Sequence, residues 1–458
     1  MTRAQLGWAA PTATSAVSAT VRLPGSKSMT ARALILAAIS DGTTTLQAPL
    51  RARDTELLAS GLRSIGTHVS TMDEDRWVVR PRPLIGPAHI HVGSAGTVMR
   101  FMPPLAALAD GAITLDGDPD ARLRPLGPLL LALTNIGARI DATPSGSGGG
   151  LPVTVYGGGR LRGGDVTIDA SASSQLVSGL LMAAPEYDRG IVVRHVGPPV
   201  PRAPHLRMTV QMLRAVGAAI DDSAPDIWEV RPGPMNGRCW DIEPDLSAAA
   251  PFLAAALVTG GEVSVPGWPR TTNQPGDQLR SLLTAMGGRA TLTLDGLTVR
   301  GSGRIRGIDA DLSEVSELVM VVAALAALAD SPSHLRGLAH LRSSETDRLA
   351  ALGATLGALG ARVTQTSEGL LIEPRPLRGG TVDTDDNHRM AHAAAVIGLV
   401  VPGVELTDVA CTSKTMPDFP ALWRGMVGAG RSADNETQSA GDEEPTTKQG
   451  QRGTKCRQ

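Results

Sequence analysis

Aromatic residues are nearly missing from this chain: Phe, Trp and Tyr make up 2% of 458 residues. So few rings leave little for base stacking, and the core must be built from Ala, Leu, Val and Ile. A charge excess is missing too, since 43 Lys and Arg face 45 Asp and Glu, which argues against a nucleic-acid surface or a polybasic membrane patch. Only three cysteines occur, Cys239, Cys411 and Cys456, far apart and without C-x-x-C spacing. That pattern excludes a zinc knuckle or a disulfide scaffold and fits a reducing compartment, so the chain is expected to be cytoplasmic. The longest apolar run, Leu318 to Ala329, is too short to span a bilayer, and the N-terminus lacks a basic start followed by an apolar stretch. Residues 431–458 hold almost no large apolar side chains and are expected to form a disordered tail.

What is present is repetition. The end of an apolar helix, a Gly and a strand-like run recur as LRSIGTHV, LTNIGARI, LRAVGAAI, LTAMGGRA, LGALGARV and a weaker RGMVGAG. Their glycines, Gly66, Gly137, Gly217, Gly287, Gly360 and Gly428, stand roughly 70 to 80 residues apart, too long for a solenoid and suited to a four-element α/β unit. A second helix, apolar nearly all round and therefore buried, recurs in the same register. Six such units in a chain of this length imply two domains of three units each.

Polar residues precede each buried helix: Ser26-Lys27-Ser28, Ser94 to Thr97, Ser173-Ser174-Gln175, Asp245, Glu317 and Asn387-His388-Arg389. If the buried helices of a domain run parallel, their N-termini share one face. Two such faces opposed would aim N–H donors and helix dipoles at anions held between the domains. The first of these stretches, LPGSKSMTAR, places Ser26, Lys27, Ser28 and Arg32 where a helix start could cradle phosphate or carboxylate. Alone it reads equally as an N-cap with solvated basic residues. It is not a P-loop, because the earlier glycine of that motif is missing.

The motifs LPGSKSMTAR, SAGTVMRF, RLRPLG, SASSQLVSGLLM, HLRSSETDRL, NHRMA and ACTSKTMPD occur in order over about residues 15–428. Together they resemble the 5-enolpyruvylshikimate-3-phosphate (EPSP) synthase family. The resemblance implies the enolpyruvyl transferase fold, a two-domain inverted α/β barrel of six repeated βαβαββ-type units, three per domain. It places one domain at 1–24 plus 245–430 and the other at 25–244. The implied reaction moves the enolpyruvyl (carboxyvinyl) group of phosphoenolpyruvate (PEP) to the 5-hydroxyl of shikimate 3-phosphate. It passes through a tetrahedral intermediate, releases phosphate and uses no cofactor or metal. The implied partners are those two small molecules, with no nucleic acid or membrane, and the chain is expected to act as a monomer.

Carried over motif by motif, Lys27, Arg124, Arg348, Arg389 and Lys414 resemble the clamp on PEP, with Gly96 and Gln175 beside them. Arginine suits that task because its planar fork binds carboxylate or phosphate bidentately. Glu317 resembles the base at the acceptor hydroxyl, where the family often has Asp, and Lys27 and Glu345 resemble the proton donors to the methylene carbon. Ser28, Arg32, Ser173, Ser174 and Gln175 resemble acceptor contacts. The space left at Gly96 implies inhibition by glyphosate in competition with PEP.

Several positions depart from the family pattern. Arg202 stands where a phosphate-binding Ser is expected, His205 for Tyr, His340 for Asn, Ser344 for Lys, Ser94 for Asn and Asn387 for Asp. Arg202, His205, His340 and Ser344 map to the acceptor side. One reading is compensation, with Arg202 supplying the charge that Ser344 lacks. Others are a paralogue for a different phosphorylated acceptor, a weakened enzyme, or a sensor of an anionic metabolite. The related transferase acting on UDP-N-acetylglucosamine is disfavoured, because DGDPDARLRP contains no Cys. His388 and His392 share a helix face but lack a nearby carboxylate that would complete a metal site.

Overall fold

The structure, a computed structural model, describes residues 7–73, 75–144, 149–342 and 347–436. Among these residues six sheets are built, five of four strands and one of three, and the five share one plan. A parallel pair is extended by an antiparallel strand and then by a second one. In the first sheet Cys239–Asp241 runs parallel to Thr44–Gln47, which pairs with Arg76–Arg80, which pairs with His68–Ser70. A parallel pair needs a crossover, and the buried helices serve as these crossovers.

The recurring glycines explain how each unit turns. Gly66, Gly137, Gly217, Gly287 and Gly360 all have φ between 93° and 112°, the left-handed region open to glycine. In each case the next residue donates back to a carbonyl five positions earlier, as in Thr67 N to Leu62 O at 3.1 Å and Ala138 N to Leu133 O at 2.9 Å. This is the Schellman closure that satisfies a helix's last carbonyls and redirects the chain into a strand. Gly428 differs: it lies inside the helix Phe419–Glu436, because no strand-forming run follows it. The sixth sheet accordingly has three strands and borrows Trp8–Ala9 from the N-terminus. That last helix continues to Glu436, past the boundary expected at 430, and residues 437–458 lie outside the described residues.

Two hydrophobic cores form. One joins Ala10, Val17 and Val21 to residues from Leu246 to Val427, and the other runs from Ala31 to Ile242. Each is centred on three apolar helices: Lys27–Ala38, Gly96–Ala106 and Ser174–Ala183 in one, and Ala250–Thr259, Val319–Ala327 and His388–Gly398 in the other. The N-terminal strand Ser18–Thr20 pairs with Glu262–Pro266 and so belongs to the C-terminal domain. The chain therefore crosses between domains twice. The crossings lie side by side, with Ser26 N donating to Glu243 O at 2.8 Å and Asp245 N to Pro24 O at 2.9 Å. Gly25 is required there: a Cβ on it would meet Ala48 O at 2.1 Å. Among the described residues no helix is long and apolar enough to cross a membrane.

Candidate functional site

Between the domains lies a cavity of about 400 Å³ lined by both. The N-terminal ends of buried helices from each side reach it, so backbone donors and dipole ends face inward from opposite walls. Local capping fixes these ends. Ser26 accepts from Met29 N at 3.5 Å, Ser173 from Gln175 N at 3.2 Å and Asn387 from Arg389 N at 3.0 Å. Asn at 387 thus keeps the cap that Asp would provide.

Among the described residues, seven Lys and Arg side chains line the cavity: Lys27, Arg100, Arg124, Arg202, Arg348, Arg389 and Lys414. That number exceeds what one monoanion needs and suits two polyanionic ligands. Several are held in place from behind. Lys27 Nζ donates to Asp54 Oδ2 at 3.1 Å while its backbone N donates to Asp245 Oδ2 at 3.1 Å across the domain boundary. Arg124 Nη1 donates to Ser94 O at 2.7 Å, and Ser94 Oγ donates to Asp118 Oδ2 at 2.9 Å, so the Ser at 94 still supports the arginine. Arg100 Nη1 donates to Gln175 Oε1 at 3.2 Å. Lys414 Nζ donates to Asp386 O at 3.0 Å and pairs with the Asp386 carboxylate. Gly96 sits among them, and a Cβ there would lie 2.8 Å from Arg100 Nη1 and 3.3 Å from Gln175 Oε1.

The residues expected on the acceptor side group around Glu317, a carboxylate only 7% exposed. Burial raises its pKa, and Arg202 and Arg389 work against that rise. Arg202 Nε lies 3.8 Å from Glu317 Oε2 and His205 Nε2 lies 4.0 Å from Oε1. The imidazoles nearby are neutral at pH 7. Burial, aided by Arg32 and Arg202, holds His205 far below its usual range, and burial with Arg202 lowers His340 to about 4. In the same domain as Glu317, burial lowers His392 to about 3 and pushes His388 well down. The His392 ring centroid is 4.6 Å from that of Phe419, a core contact.

Of the residues expected from sequence, Lys27, Ser28, Gly96, Arg124, Ser173, Ser174, Gln175, Arg202, Glu317, His340, Arg348, Arg389 and Lys414 all line the cavity. Arg32 does not. It is buried beneath the cavity, where it donates to Thr209 Oγ1 at 2.7 Å, Ser28 O at 3.0 Å, His205 O at 3.1 Å and Ser178 Oγ at 3.4 Å. Burial lowers its pKa to about 9, still above neutrality, so a cation anchors the Ser28 and His205 carbonyls beneath the cavity. Ser344 and Glu345 lie outside the described residues. Sequence reasoning missed Arg100, Asp54 and Asp386. Arg100 was findable, since it stands four residues after Gly96 and therefore on the same helix face.

Comparison with known proteins adds two findings. The family model described as EPSP synthase (3-phosphoshikimate 1-carboxyvinyltransferase) matches residues 11–423. Among solved structures, the 2.37 Å structure of EPSP synthase from Acinetobacter baumannii shares the fold, with TM-score 0.76 and 23% identity over 92% of this chain and 97% of that one. A second structure of EPSP synthase from Acinetobacter baumannii gives TM-score 0.75 and 23% identity over 92% and 98%.

Proposed function

We propose, from the premise that this chain belongs to the EPSP synthase family, how its own residues divide the work of enolpyruvyl transfer. The reaction takes the carboxyvinyl group of PEP to the 5-hydroxyl of shikimate 3-phosphate and releases phosphate. Addition requires a proton at the PEP methylene carbon and removal of one from the acceptor hydroxyl. Elimination then takes a proton back from the methyl carbon to restore the C=C bond and gives one to the phosphate as its C–O bond breaks, while the acceptor oxygen keeps its new bond to carbon.

In this reading Lys27, Arg124, Arg348, Arg389 and Lys414 hold the PEP carboxylate and phosphate, with Gly96 and Gln175 shaping the space between them. Ser28, Ser173, Ser174, Gln175, Arg202 and His340 face the acceptor, and Arg32 acts from below by fixing the Ser28 and His205 carbonyls. Glu317 takes the hydroxyl proton, and Lys27 delivers one to the methylene carbon. Ser344 and Glu345 keep the acceptor-contact and proton-donor roles that their motif implies. The observation that carries this division is a set of seven cations around one cavity among the described residues, with the buried carboxylate of Glu317 under the influence of Arg202 and Arg389. Closing the domains at the paired crossovers near Gly25 and Pro244, which bound the 25–244 domain, would expel water and strengthen every charge contact inside. One chain supplies both walls, which supports a monomer as the working unit. Cys239 is disulfide-bonded, contrary to the expectation of unpaired cysteines, so the cytoplasmic reading rests on the biosynthetic family and not on the thiols.

Mass spectrometry of the product from PEP and shikimate 3-phosphate tests the reading. It expects the acceptor to gain a carboxyvinyl group and keep its own phosphate, and Lys27→Ala to abolish that gain. Unchanged acceptor beside released phosphate would refute the reading.

A further inference from the structure

We propose that Arg202 and Glu317 form one functional couple across the domain boundary, in which Arg202 is the counter-ion that lets Glu317 act as a base in a closed, water-poor cleft. The inference rests on the assignment of Glu317 as the base at the acceptor hydroxyl.

Arg202 belongs to one domain and Glu317 to the other. Arg202 precedes the helix Ala203–Ala215 with φ 57° and ψ 47°, a left-handed conformation that non-glycine residues rarely adopt. That conformation directs the residue across the cleft. Its backbone N lies 3.4 Å from Ser313 O, its Nε donates to Ser316 Oγ at 2.9 Å, and the same nitrogen is 3.8 Å from Glu317 Oε2. The contact continues along the helix, where His205 approaches Glu317 and Arg207 Nη1 donates to Glu314 Oε1 at 3.2 Å. Residues 202–207 of one domain thus dock on 313–317 of the other, and the base lies within that docking strip.

The electrostatics require such a partner. In an open cleft water solvates the carboxylate. Closure removes that water and by itself would favour the protonated form, which cannot accept the hydroxyl proton. From its own side of the cleft Glu317 faces Arg389 and, at the crossover, Asp245, whose charges oppose one another. From the opposite side it faces Arg202 and His205, and His205 is neutral. Arg202 is therefore the cation that arrives with closure and offsets the desolvation. Both members depart from the family pattern, in which a Ser stands at 202 and Asp often at 317. The longer acid and the longer base meet over a distance that the shorter pair would not span.

The test is a double-mutant cycle in the full chain, measuring kcat for shikimate 3-phosphate at saturating PEP from pH 5 to 9. Arg202→Ser should lower kcat near neutrality about tenfold and move the acid limb up by about one pH unit. Arg202→Lys should return most of that limb. Glu317→Asp should also lower kcat, and Arg202→Ser combined with Glu317→Asp should lose clearly less than the product of the single losses. An unmoved acid limb with additive losses would overturn the proposal. So would a change confined to the KM for acceptor, which would make Arg202 only a phosphate contact. Glu317→Gln separates the underlying reading: if it keeps full kcat, Glu317 is not the base and the couple falls with that assignment. If it abolishes kcat while the Arg202→Ser limb stays in place, the couple alone is wrong.

Discussion

In the proposed division of the cleft, the donor and acceptor halves are built differently. Around the donor, cations follow the family motifs and are braced from behind: Lys27 by Asp54, Arg124 by Ser94 O, Arg100 by Gln175 and Lys414 by Asp386. Around the acceptor, Tyr and Asn positions hold the neutral imidazoles of His205 and His340, and a buried acid meets an arginine from the other domain. The proposed donor cations are braced within their own walls, whereas the proposed acceptor half also carries a direct side-chain contact between the walls, Arg202 to Glu317. A side chain braced within one domain holds its geometry through opening and closing. One braced across the boundary responds to closure.

The sharpest way to break this contrast is to remove a donor cation. Arg124→Ala should lower kcat/KM for PEP about 100- to 1,000-fold, the cost of truncating a charge contact that bound substrate would desolvate. The KM for shikimate 3-phosphate should change little. Equal loss toward both substrates, in steady-state kinetics, would erase the distinction between the halves.

Arg32→Ala should come next, acting on the fold beneath the acceptor half. It strips a donor from Ser28 O, His205 O, Thr209 and Ser178 at once and should cost about 3 kcal/mol in denaturant unfolding. A stable variant with raised acceptor KM would instead make Arg32 a direct acceptor contact.

A smaller change sharpens the donor half. Gly96→Ala would set a Cβ 2.8 Å from Arg100 Nη1 and crowd Gln175. It should raise the KM for PEP about tenfold and weaken inhibition by glyphosate more than it weakens PEP binding, because an inhibitor longer than PEP needs the space more. Unaltered glyphosate inhibition would separate that pocket from Gly96.

The smallest effect concerns pH. Burial depresses His392 to about 3 and His340 to about 4, and His205 and His388 also lie well below 6.5. With folded values below unfolded ones, the unfolded chain binds more protons below about pH 6.5. Stability contributed by these groups is therefore present above that pH and lost as pH falls toward 4. His392→Leu should flatten the fall of Tm between pH 6.5 and 4 without altering the neutral value much, as thermal scans would show. An unchanged slope would mean that His392 is not a buried neutral imidazole.

Sequence periodicity carried much of this architecture, for a physical reason. A helix that must end and turn into a strand needs a left-handed residue, so Gly66, Gly137, Gly217, Gly287 and Gly360 stand out at a regular interval. A helix start that faces an anion needs polar caps and cations, so Ser26-Lys27-Ser28 and Asn387-His388-Arg389 stand out against apolar helices. Less legible were contacts between segments far apart in the chain. Nothing local to Arg32 says that Thr209 and Ser178 will surround it, and nothing local to Lys27 says that Asp54 will brace it. Gly428 carried the same glycine signal as the others. It does not end its helix, since the strand-forming residues that would make a turn worthwhile are missing after it.

The most direct test of the whole account is the rate of phosphate release at saturating PEP as shikimate 3-phosphate is raised from zero. The account predicts release that starts at zero without acceptor and saturates with it. Release that is independent of acceptor, or absent at every acceptor concentration, would contradict it.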